Sequence, residues 1–149
     1  MARARTKDRR SYLLIEIAAR RLHREADARL TQSVGVTASQ AAVLFLLLRR
    51  GECRMGAIGE TLALGAPAVT GLVDRMQKAG LVIKRRNPND KRGALVELTE
   101  AGRQAAEGAD DVLRAFNHDV EARLGTDHAD QVFDALTRLA TEPSPQTAP

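Results

Sequence analysis

Length and composition restrict this protein to a few classes. The chain has 149 residues, one cysteine and a formal net charge of +4. This length suits a single domain with its own buried core, and one cysteine excludes both a disulfide framework and the paired-cysteine motifs of zinc ribbons and thioredoxin-like enzymes. The longest apolar run, residues 41–48, is far shorter than the ~20 residues of a membrane-spanning helix. We therefore expect a soluble, cytoplasmic protein.

Charge is distributed unevenly along the sequence. Residues 1–30 carry 9 Lys and Arg against 4 Asp and Glu, residues 31–93 carry 10 against 4, and residues 94–149 carry 4 against 11, giving segment charges of +5, +6 and −7. Binding of a polyanion to the first two thirds would explain this asymmetry, and so would an unevenly charged, solvated helical surface. With no Trp, one Tyr and three Phe, the chain has few platforms on which single-stranded bases stack. If the partner is a nucleic acid, a duplex is favoured.

Apolar periodicity predicts two helices in the first 50 residues. Between residues 11 and 30, apolar side chains recur on one helical face, and Gly35 ends that helix. Thr37 and Gln40 have the spacing of a capping box, in which each side chain bonds the other residue's backbone N–H at a helix start. The second helix, residues 38–50, is apolar on nearly all sides, so we expect it to be the central buried helix, ended by Gly51.

The next segment has the layout of a helix-turn-helix. A short helix places Met55, Ile58 and Leu62 on one face, residues 64–66 form a turn, and a further helix runs from about residue 67 to residue 79, before Gly80. The second helix of such a pair enters the major groove of DNA.

The two faces of that second helix differ in chemistry. Four apolar residues are predicted to pack inward: Val69, Leu72, Val73 and Met76. The opposite face carries Asp74 and the candidate DNA contacts, which are Pro67, Thr70, Gly71, Arg75 and Lys78. Hydroxyl and guanidinium groups bind phosphates and base edges, and a glycine lets the helix approach the groove floor. The alternative is an ordinary surface helix, on which the glycine only lowers helix stability.

Strand periodicity replaces helical periodicity after Gly80. Residues 81–86 and 94–98 are predicted to form a hairpin around the turn-rich segment NPNDKRG. The hairpin carries five cations: Lys84, Arg85, Arg86, Lys91 and Arg92. A basic ribbon of this kind suits a minor groove, whereas a solvated turn whose charges prevent edge pairing would have the same composition. Because it follows a helix-turn-helix directly, the hairpin is interpreted as the wing of a winged helix.

At the hairpin the sequence resembles a known family. The run DKRGALVELT, residues 90–99, fits the D-x-R-x5-L-T wing signature of the MarR family of transcriptional regulators. Around it, TASQAAVLFLL and AVTGLVDRMQKAGLVIKRRNPND are similar to that family's second helix, recognition helix and first wing strand. The resemblance covers residues 11–141. One departure is the stretch Gly-Ala-Pro-Ala at residues 65–68, where many members have a Ser or Thr that contacts phosphate.

The resemblance implies a homodimer on a pseudo-palindromic double-stranded DNA operator. Arg92 would enter the minor groove and Asp90 would brace the wing. Independently, the terminal helices carry long apolar stripes that one small winged helix cannot cover, which also favours a dimer. Thr99 caps the first C-terminal helix, and Gly125 separates it from the last.

The predicted fold class is mostly α with a small two-stranded β-wing: a winged helix-turn-helix flanked by N- and C-terminal dimerisation helices. Residues 1–10 form a basic arm, 11–36 a dimerisation helix, 37–98 the winged helix-turn-helix DNA-binding domain, 99–141 the C-terminal dimerisation helices and 142–149 a disordered tail.

The resemblance also implies a small aromatic or phenolic effector, held between the dimerisation helices and the winged helix, that weakens DNA binding. The candidate ligand-binding residues are Tyr12, His23, Phe45, Met55 and His118. The expected function is thus that of a transcriptional repressor released by a small molecule. The alternative is a winged-helix interaction module whose basic wing binds an acidic protein partner.

The remaining reactive side chains suggest no enzyme and no cofactor. Cys53 follows the second helix beside Arg54, which is expected to lower the pKa of its thiol. The three histidines, His23, His118 and His128, lack metal-ligand spacing, and we find no catalytic triad, phosphate-binding glycine loop or paired carboxylates.

Overall fold

The computed structural model describes residues 10–90 and 93–142, which contain six helices and three short strands. The helices are α1 (Ser11–Val34), α2 (Ala38–Arg50), α3 (Met55–Leu62), α4 (Ala66–Lys78), α5 (Glu100–Leu124) and α6 (Thr126–Thr141). The strands are β1 (Cys53–Arg54), β2 (Val82–Arg86) and β3 (Ala94–Leu98). Most of the predicted basic arm, the tail from residue 143, and Lys91 and Arg92 lie outside the described residues.

The strands form one antiparallel sheet in the order β1-β3-β2. Strands β2 and β3 are the predicted hairpin, with Val82 opposite Leu98 at its base. The prediction of two strands omitted β1, in which Cys53 pairs with Val96 on the other edge of β3. A strand of two residues is too short to show an alternating pattern, and it forms here because β3 offers it a hydrogen-bonding edge.

The end of α1 and the start of α2 are fixed by the predicted caps. Gly35 ends α1 in the left-handed conformation, with φ at 77°. The capping box at the start of α2 is confirmed: the Gln40 N–H donates to the Thr37 hydroxyl oxygen at 3.2 Å, and the Thr37 N–H donates to the Gln40 side-chain oxygen at 2.9 Å. The carboxylate of Asp27 on α1 accepts a further hydrogen bond from the N–H of Ala38 at 2.8 Å. Helices α1 and α2 are therefore joined at a bend of 75°, and a hydrogen bond connects the two helices across this bend.

The core is centred on α2, as predicted. This helix packs against α1, α3, α4 and β3. Its buried side chains are Ala41, Val43, Leu44, Leu46 and Leu47. Ile58 of α3, Val82 of β2 and Val96 of β3 complete the same core.

The base of the hairpin is held against the start of α5. Thr99 donates its hydroxyl hydrogen to the Gly80 carbonyl at 2.6 Å, and its hydroxyl oxygen accepts the N–H of Gly102 at 2.9 Å, which confirms the predicted cap. A Cβ atom on Gly102 would lie 2.0 Å from the carbonyl oxygen of Leu81. A glycine is therefore required where α5 crosses the entry to β2.

The chain divides into two compact units, with the boundary inside α5 between Val112 and Leu113. The first unit contains α1–α4, the sheet and the first half of α5, whereas the second contains the rest of α5 and α6. Within α1, only Ala26 and Leu30 are buried, and α6 has no buried residue. Among the residues that the structure describes, no single helix is both long and apolar enough to cross a membrane.

Candidate nucleic-acid interface

Helices α3 and α4 form the predicted helix-turn-helix, with a bend of 112° between them. The turn begins at Ala63, a non-glycine residue in the left-handed conformation (φ 53°), one residue earlier than predicted. A Cβ atom on Gly59 would lie 2.9 Å from the carbonyl oxygen of Leu64 and 3.3 Å from the side chain of Val69. Gly59 therefore allows α3 to pack closely against the turn and α4. No motif in the sequence singles out this glycine.

The two faces of α4 divide as predicted. The inward face consists of four buried apolar residues: Val69, Leu72, Val73 and Met76. The outward face carries the predicted DNA contacts, which are exposed or half-buried: Pro67, Thr70, Gly71, Arg75 and Lys78. Because the inward face is buried in the core, the rotation of α4 about its own axis is fixed. The outward residues are thus presented together on one surface.

The two cations and the hydroxyl group on the outward face differ in their contacts. The guanidinium of Arg75 lies back along the helix, 3.4 Å from the position that a Cβ atom on Gly71 would take. Thr70 donates its hydroxyl hydrogen to the carbonyl of Ala66 at 3.0 Å, which leaves its oxygen as a hydrogen-bond acceptor. Neither Arg75 nor Lys78 forms an ion pair with any of the described residues. Two positive charges on this face therefore remain available to an anionic partner.

Lys84, the first cation of β2, is paired with α4. Its ammonium group donates to the carboxylate of Asp74 at 2.7 Å, and both side chains are partly exposed. This hydrogen bond from Lys84 is the main cause of the lowered pKa of Asp74, and the positive charges of Lys84 and Lys78 lower it further. The ion pair connects the wing to the outward face of the helix.

The next two cations of β2 differ from each other. Arg85 donates to the carboxylate of Glu52 at 2.5 Å and to that of Glu97 at 3.0 Å. Arg86 is exposed and forms no ion pair with the residues described. The acidic partners were missed in the sequence analysis because they come from a connecting loop, β3 and α4. In the sequence, the surplus of cations in the hairpin is the only signal, and it does not reveal which of them are paired.

The wing turn is closed by its own backbone. The Asn87 N–H donates to the Gly93 carbonyl at 3.1 Å, and the Gly93 N–H donates to the Asp90 carbonyl at 3.1 Å. The side-chain oxygen of the buried Asn87 accepts the N–H of Asn89 at 3.0 Å. The proposed wing-bracing role of Asp90 stays a prediction, as do the minor-groove contacts of Lys91 and Arg92, which lie outside the described residues.

Cys53 differs from the expectation. It lies in β1 and is buried, and burial raises the pKa of its thiol, although the positive charge of Arg50 opposes the increase. The prediction that Arg54 lowers this pKa is therefore wrong. Among residues 10–90 and 93–142, no group of three metal-ligating side chains is found.

Three of the predicted ligand-binding residues line three different cavities in the part of the chain that the structure describes. Phe45 lines a cavity of about 290 Å³ between α2 and α3, together with Arg49 and Arg50. Met55 lines a different cavity of about 390 Å³ between α3 and α4. His23 lines a shallow depression on α1. Tyr12 and His118 are exposed, the latter in the second unit. A role for these residues in ligand binding stays a prediction.

Similarity to known proteins is concentrated in the winged helix-turn-helix. Residues 34–93 match the sequence profile of the MarR family. An uncharacterized HTH-type transcriptional regulator of Bacillus subtilis, YdgJ, is 27% identical over 105 residues, which are 70% of this chain and 64% of that protein. The chain thus spans just under two thirds of this relative's length.

Solved structures match over more of the chain. A probable transcriptional regulator from Pseudomonas aeruginosa is 29% identical with a TM-score of 0.73, covering 84% of this chain and 96% of the other. The PcaV transcriptional regulator from Streptomyces coelicolor, in complex with its natural ligand, is 26% identical with a TM-score of 0.74, covering 95% and 99%.

Proposed function

We propose that this chain is a winged helix-turn-helix transcriptional regulator of the MarR type, and that it binds specific sites on double-stranded DNA as a dimer in the cytoplasm. The observation that carries the proposal is the outward face of α4. There, Arg75 and Lys78 have no ion pair among the described residues, while the opposite face of the helix is buried in the core.

In the proposed complex, α4 lies in the major groove. Gly71 has no side chain to separate the helix from the groove floor, and Pro67 and Thr70 lie at the helix start, near a phosphate strand. The Thr70 oxygen can accept a hydrogen bond from an amino group of a base edge, because its own hydrogen is donated to Ala66. Arg75 binds a base edge or a phosphate, and Lys78 a phosphate. The wing then lies over the adjacent minor groove, with Lys91 and Arg92 at its tip.

Exposed apolar side chains support the proposed dimer. On α1, Tyr12, Leu14 and Ile17 are all more than half exposed, and on α6 so are Phe133 and Leu139. Large side chains of this kind are normally covered, and a second copy of the same helices would cover them. In such a dimer two copies of α4 read half-sites roughly 34–36 Å apart, one helical turn of DNA.

The regulator is proposed to be a repressor released by a small aromatic or phenolic ligand. The presence of a natural ligand in the PcaV structure supports a ligand-controlled mechanism. In this chain, Phe45, Arg49 and Arg50 line a cavity that combines an aromatic ring with two cations, which suits an aromatic carboxylate. Tyr12, His23, Met55 and His118 are the other candidate contacts.

Selection of bound fragments from a random duplex pool, followed by affinity measurement at several salt concentrations, tests DNA binding. We expect one pseudo-palindromic site and a linear fall of log affinity with log salt, by about 0.9 per neutralised phosphate. Arg75→Ala should cost about 1–3 kcal/mol of binding, whereas the exposed Arg138→Ala on α6 should leave affinity unchanged. A salt-independent affinity, or binding only to an acidic protein, would instead favour the interaction module.

Ligand control is tested by screening aromatic carboxylates and phenols on protein that is active for DNA. We expect at least one compound to weaken DNA binding tenfold, which corresponds to about 1.4 kcal/mol of coupling. By linkage, operator DNA must weaken ligand binding by the same factor. If no compound stabilises the protein or releases DNA, a constitutive regulator is the better description.

A further inference from the structure

Three consecutive cations of β2 have different surroundings, although the sequence presents them as one basic run. Side chains alternate along a strand, so Lys84 and Arg86 lie on one face of the hairpin and Arg85 on the other. Lys84 is hydrogen-bonded to Asp74 of α4, and Arg85 to Glu52 and Glu97. Arg86 forms no ion pair with the described residues, and it lies two positions nearer the wing tip than Lys84.

We propose that Lys84 and Arg85 are positioning residues that fix the wing, and that only Arg86 of these three contributes its charge to the DNA phosphates. The inference rests on the proposed DNA-binding function. Through Asp74, Lys84 sets the position of the wing relative to the helix that reads the major groove. Arg85 ties the hairpin to the connection between α2 and β1.

The position of Asp74 explains why Lys84 is needed in this role. Asp74 is a carboxylate on the outward face of α4, which would face the phosphate backbone in the complex. An unpaired negative charge there would repel DNA, and the ammonium of Lys84 neutralises it at 2.7 Å. A phosphate that approached the remaining donors of Lys84 would also meet the carboxylate of Asp74 beside it. The gain of one contact would thus be offset by a new repulsion.

Arg85 is even less available to a DNA phosphate than Lys84. Two carboxylates contact its guanidinium, at 2.5 Å and 3.0 Å, and the three side chains together carry a net negative charge. A phosphate approaching Arg85 would meet both Glu52 and Glu97. Arg86 has no such competitor among the residues described, so its charge can displace a counterion from DNA.

The salt dependence of DNA binding separates the two roles, because its slope counts neutralised phosphates. Three matched variants, Arg86→Gln, Arg85→Gln and Lys84→Gln, are compared with the wild-type dimer on its selected site. Arg86→Gln should make the salt dependence weaker, lowering the magnitude of the slope by about 2 units, since each dimer loses two phosphate contacts at about 0.9 each. Arg85→Gln and Lys84→Gln should keep the wild-type slope, although their affinity falls because the wing is less well positioned.

A second pair of variants separates positioning from simple loss of charge. Asp74→Asn removes the negative charge that neutralises Lys84, so the salt dependence should become steeper while the preference for the selected site over random DNA falls. Lys84→Arg keeps the ion pair and should restore both the affinity and the preference that Lys84→Gln loses. Equal reductions in slope for all three cations, or a reduced slope with Asp74→Asn, would overturn the inference and leave DNA binding intact. A wild-type protein without salt-dependent DNA binding would overturn the proposed function itself.

Discussion

The amphipathic helices α4 and α6 place their apolar faces in opposite environments. All four apolar residues on the inward face of α4 are buried. On α6, by contrast, Phe133 is 70% exposed, Leu136 46% and Leu139 67%, and no residue is buried. The apolar face of α4 therefore stabilises the fold of a single chain. The apolar face of α6 stays largely exposed in the single chain, and we expect a second molecule to cover it.

The largest expected difference between the two helices is obtained by placing the same negative charge on the apolar face of each. Val73→Asp on α4 puts a carboxylate into the core without a partner and should destabilise the chain by at least about 3 kcal/mol. Phe133→Asp on α6 should leave the single-chain fold intact but convert the dimer into monomers. Thermal unfolding and sedimentation equilibrium, each at several protein concentrations, distinguish the two results. A Phe133→Asp protein that remains dimeric would contradict the assignment of α6.

Two glycines of α5, which lies between α4 and α6 in the chain, extend the comparison of buried and exposed helix faces. Gly102→Ala should cost about 1–3 kcal/mol, because the new methyl group overlaps the carbonyl oxygen of Leu81. Gly108→Ala is the matched control in the same helix. Its methyl group would meet only Val34 at 3.5 Å, an ordinary contact, so it should stabilise the protein by roughly 0.5–1 kcal/mol. Urea unfolding of both variants would show effects of opposite sign, and a stabilising Gly102→Ala would refute the close approach.

Elements that local chemistry determines could be predicted from the sequence. The capping box of Thr37 and Gln40 and the end of α1 at Gly35 depend only on residues within a few positions of each other, and both are observed. The inward face of α4 follows from helical periodicity alone. The hairpin was predictable because two alternating strands flank a turn-rich segment.

Features that join distant parts of the chain could not be predicted. Strand β1 exists only because β3 offers an edge more than 40 positions later in the chain. Arg85 pairs with Glu52, 33 residues away, and no local rule connects them. The raised pKa of Cys53 likewise comes from tertiary burial, which outweighs the positive charge of Arg50. The exposed face of α4 that carries the candidate site was thus predictable, but the ion pairs of the hairpin cations were not.

A smaller effect on the free energy of unfolding is expected for substitutions at the start of a helix than for those on its apolar face. Thr37→Ala removes the side-chain acceptor for the Gln40 N–H and should lower the free energy of unfolding by about 1 kcal/mol. Ser39→Ala, two residues later in the same helix, is the control and should have little effect, since no capping bond involves its side chain. Chemical denaturation of the two variants measures the difference. Equal destabilisation would show that the capping bond contributes nothing specific.

The smallest effect concerns the outward face of α4, where the ion pair is exposed to water. Because the pKa of Asp74 is lowered from its usual 3.8 in the folded protein, its contribution to stability is fully present above 3.8 and is lost as the pH falls through the lowered value. The stability difference between wild type and Asp74→Asn should therefore shrink only in strong acid. Unfolding curves from neutral pH to well below 3.8 provide the measurement. A difference that instead disappears near neutrality would exclude this carboxylate as its source.

The hydrogen-bonded joint between α1 and α2 makes α1 a lever. A helix of 24 residues is about 36 Å long, so a tilt of about 5° at the joint moves its far end by about 3 Å. Asp27 holds the first N–H of α2, and Gly35 closes the end of α1, so little of such a tilt can be absorbed between the two helices. Since α2 also packs against α3 and α4, we expect a displacement at the start of α1 to reach the helix-turn-helix as a small rotation. With this length, a movement of several ångströms at the start of α1 would correspond to an adjustment of a few degrees at the helix-turn-helix.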